Sequence, residues 1–341
     1  MNHFTRSLAV LALLAPALAG QAQTPAPGWH QLQKVSLPGE GGWDYLTVDS
    51  QARRLYVSRS THVNVINADT GAVIGDIPDT NGVHGIAIDA KDNRGFTSNG
   101  RANSVTIFDL KTLKKIGETP VGEGPDCIIF DPATGRVFTF NGRAQSATAI
   151  DARSGKVIGT SQLPGRPEYA VADGKGHVYD ALEDKSEFVS IDAKTLKIDH
   201  IWPIAPGEGP SGVAMDPKGR RLFAVCGNGQ MAIVNADTGA VVATPAIGQG
   251  PDACAYDAKN HLVFSPNGQD GTMTVFRQVS PDKYETLATI PTQAGARTMV
   301  LDDKTHHIWT VTATPLPADP GAPRWRRSYA PGTFVALEYG P

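Results

Sequence analysis

Apolar residues along this chain fall into short runs of strand length, with no sustained helical spacing between caps. The stretch from Gly85 to Val121 shows the pattern in full. Residues 85–89 form a first apolar run, and residues 90–93 a polar turn. Residues 95–99 form a second run closed by Gly100, and residues 104–109 a third, followed by a Lys111-Thr112 turn. Residues 115–121 form a fourth. Runs rich in β-branched and aromatic residues and bounded by Gly, Asn, Asp or Pro predict strands, here four in succession.

The same unit returns seven times. Its clearest marks are Gly124-Pro125-Asp126, Gly209-Pro210-Ser211 and Gly250-Pro251-Asp252, each just before an apolar run. Looser copies stand at Trp43-Asp44, Val83-His84, Pro167-Glu168 and Ala296-Arg297. The polar residues leading the runs are therefore Asp44, His84, Asp126, Glu168, Ser211, Asp252 and Arg297, at gaps of 40, 42, 42, 43, 41 and 45. Four strands recurring at a period in the forties predict an all-β, seven-bladed β-propeller. Residues 29–38 supply a spare strand at the start, and the last unit is one strand short. The expectation is a ring closed by the N-terminal strand docking into the last blade, which removes its open edge.

Composition changes this picture little. The 36 Gly and 25 Pro punctuate turns, and the apolar fraction of 40% is ordinary for a folded domain. The net charge of −3 gives no pull toward nucleic acid or acidic membranes. Residues 1–23 read as a secretory signal, with Arg6 ahead of an apolar core and the small-x-small sites Ala17-Leu18-Ala19 and Gly20-Gln21-Ala22. That predicts a periplasmic or secreted protein with one domain over residues 24–341 and no membrane span, expected as a monomer. Cys127, Cys226 and Cys254 read as buried free thiols, because residues in different blades are unsuited to a bridge.

Strand direction locates the chemistry. The innermost strand of a blade starts at one face, and the second strand ends there. The leading residues should thus share a face with Arg59, Asn99, Arg101, Asn141, Arg143, Glu183, Asp184, Asn228, Asn267 and Asp270, which follow or end second strands. Asp44, His84, Asp126, Glu168 and Asp252 around one axis suit a divalent cation such as Ca²⁺, Mg²⁺, Mn²⁺ or Zn²⁺. Two other readings fit the same ring: carboxylates that cap strand starts around a water-filled channel, and an anionic or sugar-like ligand held by the Arg set with Arg297. Asp131, Asp216 and Asp257, which end innermost strands on the opposite face, read as turn-formers. His306-His307 reads as a solvated turn there. Residues 313–332 interrupt the last unit with Pro315, Pro317, Pro320 and Pro323, then Arg324-Trp325-Arg326-Arg327. Trp325 and Arg326 are the expected anchors for an acidic ligand or partner surface over the polar face, and a packed loop that shields the ring closure fits the same segment equally well.

These repeats resemble the YVTN-type repeat of the YncE-like β-propeller family. The resemblance rests on Gly207-Glu208-Gly209-Pro210-Ser211-Gly212, Asp216-Pro217, Tyr56-Val57-Ser58-Arg59 and residues 63–71, and spans residues 29–339. It implies the propeller fold and a functionally mixed family. The chain departs from that pattern where Asp126, Glu168 and Asp252 stand in place of small residues. Lactonase propellers are similar in general layout, with an axial metal among acidic and Asn side chains. The expected function is binding of a small molecule or protein partner on the polar axial face, with or without a divalent metal there. The alternative is a metal-dependent hydrolase or lactonase, with His84 or Glu168 as base.

Overall fold

The computed structural model describes residues 28–317 and 329–341; among them the chain forms seven antiparallel four-stranded sheets and no helix. Each sheet is one blade. The innermost strands are Leu46–Asp49, Val83–Asp89, Pro125–Asp131, Pro167–Ala172, Pro210–Asp216, Ala255–Asp257 and Met299–Asp302 in blades 1 to 7. The ring closes as the sequence predicts. His30–Ser36 pairs antiparallel with Val335–Gly340 and becomes the outer strand of blade 7. Residues 1–23 and the Trp325-Arg326 segment lie outside the described residues.

The second and third strands of each blade are buried on both faces, and the outer strands are half-exposed. This follows from packing blade against blade, which covers both faces of every sheet. The core is accordingly a series of layers between blades. One holds Tyr56, Val63 and Ile77 of blade 1 with Val83, Ile86 and Phe108 of blade 2. Each fully buried aromatic such as Phe96, Phe138 or Phe264 contributes roughly 1.5–3 kcal/mol. Contact is close enough at Gly212 to exclude a side chain: a Cβ there would lie 2.3 Å from the Ala253 Cα of the next blade.

The face opposite the polar ring is held by the aspartates that end innermost strands. Asp131, Asp216 and Asp257 accept backbone N–H bonds from residues two and three further on, as turn-formers do. Several also clasp the neighbouring blade. Arg53 bonds Asp302 at 2.5 Å, Arg220 bonds Asp173 at 2.9 Å, and His306 meets Asp257 at 3.1 Å. His307 Nδ1 lies 2.8 Å from Glu338. His306 thus reaches the neighbouring blade and His307 the last strand of its own, both part-buried, which corrects the solvated turn expected for them. Among the described residues no helix is long and apolar enough to cross a membrane.

Candidate functional site

Four of the leading residues sit in irregularities of the strand they begin. The pairing of the innermost with the second strand slips between Val83 and Ile86, Pro125 and Ile128, Pro167 and Tyr169, and Pro210 and Gly212. An extra residue in a strand bends it and re-aims a side chain. Here the displaced residues are His84, Asp126, Glu168 and Ser211. The Ser98 hydroxyl fixes one such turn, accepting from Gly85 N and donating to the Asp126 carbonyl.

The result is a polar mouth on the ring axis, a cavity of about 790 Å³ lined by Trp43, Asp44, His84, Arg101, Glu183, Asp252, Gln269, Arg297 and Tyr329 among others. At its side the His84 Nδ1 donates to Asp44 Oδ2 at 2.6 Å and lies 3.4 Å from Asp126 Oδ1. The three ligand atoms all fall within 4.8 Å of one another. Side-chain exposures of 22% for Asp44, 27% for Asp126 and 36% for His84 leave all three partly open, and Asp44 and His84 line the mouth itself. The His84 ring is backed by Gly100, where a Cβ would come within 2.8 Å of its Cδ2 and Nε2. Nδ1 is therefore the nitrogen presented to both carboxylates.

The remaining leading residues pair differently. The Arg297 Nε donates to Asp252 Oδ2 at 2.7 Å, its second arm donates to the Trp43 carbonyl at 2.9 Å, and its guanidinium lies 4.9 Å from the Trp43 ring centroid. This pair takes Asp252 out of the cluster expected around a cation. The Glu168 carboxylate has no hydrogen-bond or ion-pair partner among the described residues. Its backbone carbonyl instead accepts from the Tyr45 hydroxyl at 3.0 Å. Tyr45 belongs to blade 1 and Glu168 to blade 4, so the Tyr45 side chain spans the axis below the mouth and lies tilted against Tyr169, with ring centroids 5.1 Å apart.

Charge in the mouth is unevenly compensated. Burial opposes the charged imidazolium of His84, but the Asp126 and Asp44 carboxylates outweigh it and raise its pKa to about 9. Burial raises Asp126 to about 7; His84 offsets part of this, while Asp44 and Asp252 add to it. Burial likewise raises Asp252 to about 6 against the opposing pull of Arg297. Glu168 is pushed well up by burial and then by Asp126 and Asp252. The His84 imidazolium thus sits between the Asp44 and Asp126 carboxyls and offsets part of their charge.

The donor set also fits a divalent ion. Metal–ligand bonds of about 2.1 Å place neighbouring donors roughly 3 Å apart, the scale found here. Two carboxylates and one imidazole with an open side toward the cavity suit Mn²⁺ or Zn²⁺, and Ca²⁺ if water completes the shell.

Several predicted ligand contacts are instead internal. Asn99, Asn141 and Asn267 are fully buried. In each, the amide oxygen accepts from a hydroxyl two residues earlier (Thr97, Thr139, Ser265). The amide nitrogen donates to hydroxyls five and seven residues later: Ser104 and Thr106, Ser146 and Thr148, Thr272 and Thr274. Flanked by strands on both sides, they tie the second strand to the third and do not reach the mouth. Arg59 is also fully buried. It donates to the Pro38 and Gly39 carbonyls and to Asn64, and lies 3.7 Å from the Phe334 ring centroid, bracing the closing strand.

Arg143 donates to the Gly100 carbonyl and to Asn103, and Asn228 bonds Pro206 and Glu208, so both hold turns. Of the expected Arg set, Arg101 lines the mouth without a hydrogen-bond partner among the described residues, and Arg297 is bound to Asp252. A field of free guanidiniums for an acidic ligand does not assemble from them. Glu183 lines the mouth as its place after a second strand predicts, whereas sequence reasoning passed over Tyr45, Trp43 and Gln269. The adjacency of Tyr to the leading acid in Asp44-Tyr45 and Glu168-Tyr169 was a readable sign of a shared axial layer.

Comparison with known proteins supports the fold. No family model matches the chain, and no curated protein matches it in sequence. Among solved structures it is similar to a chain of hydrazine synthase from Kuenenia stuttgartiensis. The TM-score is 0.71 at 15% identity, over 80% of this chain and 93% of that one. It is also similar to the WD40 repeats of RRP9 (TM-score 0.76, 10% identity, 93% and 98% of the two chains) and to a chain of the mitotic checkpoint complex (0.73, 16%, 100% and 99%).

Proposed function

We propose that this chain is an exported, YncE-like binding propeller that takes a small polar ligand or a partner group at its axial mouth, around a divalent cation held by Asp44, His84 and Asp126. The observation that carries the reading is the meeting of three donor atoms within 4.8 Å, beside a cavity of about 790 Å³. The repeat pattern supports the family assignment, and the signal-like residues 1–23 support export. The cation would replace the His84 proton between the two carboxylates and leave coordination positions open toward the cavity. Tyr329, backed by the buried Trp43 ring, offers the ligand aromatic surface, and Gln269 and Arg101 offer it polar contacts. Propellers commonly present such faces to partners, and one structural neighbour is a component of the mitotic checkpoint complex.

The test is thermal unfolding of metal-free protein, with Mn²⁺, Zn²⁺ or Ca²⁺ added at a hundred times the dissociation constant found by calorimetry. Preferential binding to the folded state should stabilise it by about 2.7 kcal/mol. That is roughly 5 °C for a chain of this size. Asp126→Asn should abolish the rise. Asp252→Asn should retain most of it, because Asp252 belongs to Arg297. If calorimetry shows no divalent binding at millimolar concentration, or if both variants lose the rise alike, the three-residue site is wrong.

A further inference from the structure

Below the Tyr45–Tyr169 layer the axial channel opens again into a second cavity of about 750 Å³, lined by the innermost strands of all seven blades. We propose that this lower chamber binds an uncharged small molecule with an apolar body. The inference is independent of the cation reading of the mouth.

The walls are the first argument. Val48, Ile88, Phe130, Val171, Tyr256 and Leu301 come from six different blades, and each is half-buried where a core residue would be covered. Each also packs against one of the apolar layers between blades, so it is held in place. Water against these side chains is released when an apolar body replaces it.

The polar groups are the second argument. The innermost strand ends each sheet, so its inner edge presents backbone N–H and C=O groups to the axis. These can orient a neutral ligand through one or two hydrogen bonds. The Thr47 hydroxyl is already committed to the Ile86 carbonyl at 2.6 Å. Charged side chains among the lining residues are confined to Asp173 and Asp303, past the ends of the innermost strands. Asp173 is bound by Arg220 at 2.9 Å and accepts backbone N–H bonds from Lys175 and His177. Among the described residues no cation lines the chamber, so an anionic group entering it would be desolvated without a counter-charge.

The shape is the third argument. Tyr45, donating across the axis to the Glu168 carbonyl, closes the top. A recess ringed by seven blades admits a small molecule and excludes a folded protein surface. Its volume falls within the range of ligand pockets, roughly 300–1,000 Å³.

The probe is N-phenyl-1-naphthylamine, a neutral amine that fluoresces in apolar surroundings. Titration should show one saturable site per chain. 8-Anilinonaphthalene-1-sulfonate, the same ring system with a sulfonate, should bind at least tenfold more weakly. Val171→Glu places a charge in the wall, and Ala172→Trp fills the space without one. Each should weaken the neutral probe tenfold or more, while Asp126→Asn in the upper mouth should leave it unchanged. The near-ultraviolet dichroism of each variant checks that the ring is intact. If Val171→Glu does not fold, Ala172→Trp decides.

Three results would overturn the proposal. One is the absence of saturable binding. Another is equal binding by the folded wall variants, which would place the probe on exposed rim residues such as Ile116 and Ile158. The third is equal affinity for the sulfonate.

Discussion

Asn141→Leu separates a structural asparagine from a ligand-binding one. The Asn141 amide takes part in three buried hydrogen bonds, with Thr139 at 2.9 Å, Ser146 at 3.1 Å and Thr148 at 3.0 Å. At about 1 kcal/mol net for each, their loss costs about 3 kcal/mol, and the partner hydroxyls stay buried without their amide. At roughly 2 °C per kcal/mol for a chain of this length, the melting temperature should fall by about 6 °C. Blade 5 shows what a compensated version looks like: it carries Ala224, Cys226 and Ala232 at the positions of Thr139, Asn141 and Thr148, all fully buried, with the half-buried Gln230 at that of Ser146. Adding Thr139→Val, Ser146→Ala and Thr148→Val to Asn141→Leu should therefore recover more than half of the loss, since removing both sides of a buried hydrogen bond is far cheaper than removing one. Differential scanning calorimetry of the single and quadruple variants measures both quantities. Asn141→Leu with an unchanged melting temperature but no cation-induced rise would refute the reasoning and return Asn141 to the mouth.

Two further outcomes follow from the ring. His84 sits at about 9 in the folded state against an ordinary value near 6.5, so its stabilising contribution is complete below about pH 6.5 and is lost as pH rises through 9. Asp126 at about 7 favours a protonated folded state, so it weakens the fold as pH rises from about 4 to 7. Both act in one direction: without divalent ions the melting temperature of the wild type should drop more between about pH 5 and 9.5 than that of His84→Gln/Asp126→Asn, and a steeper drop in the variant would show the ring charges to be misassigned. Removing residues 1–38 should leave Val335–Gly340 as an open edge and produce a destabilised, self-associating ring, read by light scattering during unfolding; an unchanged melting temperature and a monomeric mass would sink the closure role of His30–Ser36.

The fold was legible because one physical constraint repeats. Every blade must bury two faces of a four-stranded sheet and turn sharply between strands, so the apolar runs and Gly-Pro-Asp turns recur at blade spacing. The leading residues were legible for the same reason, since each stands at the start of an innermost strand. What they do there was not, because it depends on angles around the ring. His84 lies between Asp44 and Asp126 because adjacent blades 1, 2 and 3 converge, and Arg297 reaches back to Asp252 in blade 6. The sequence shows four carboxylates with equal claims; the ring gives one to Arg297, two to His84 and leaves Glu168 unpartnered.

The buried asparagines were misplaced for a different reason. They stand at the ends of second strands as predicted, but their side chains turn into the blade and not toward the axis. The sign was present: Thr-x-Asn followed by Ser-x-Thr at 97–106 and 139–148, and Ser-x-Asn followed by Thr-x-Thr at 265–274. Alternation puts the first hydroxyl and the amide on one face, and antiparallel pairing sets the later hydroxyls beside them. A polar residue that recurs with its own hydrogen-bonding partners at fixed spacing satisfies itself within the blade. A polar residue that recurs without them, as the leading residues do, must find its partner across the axis, in a proton, a cation or a ligand.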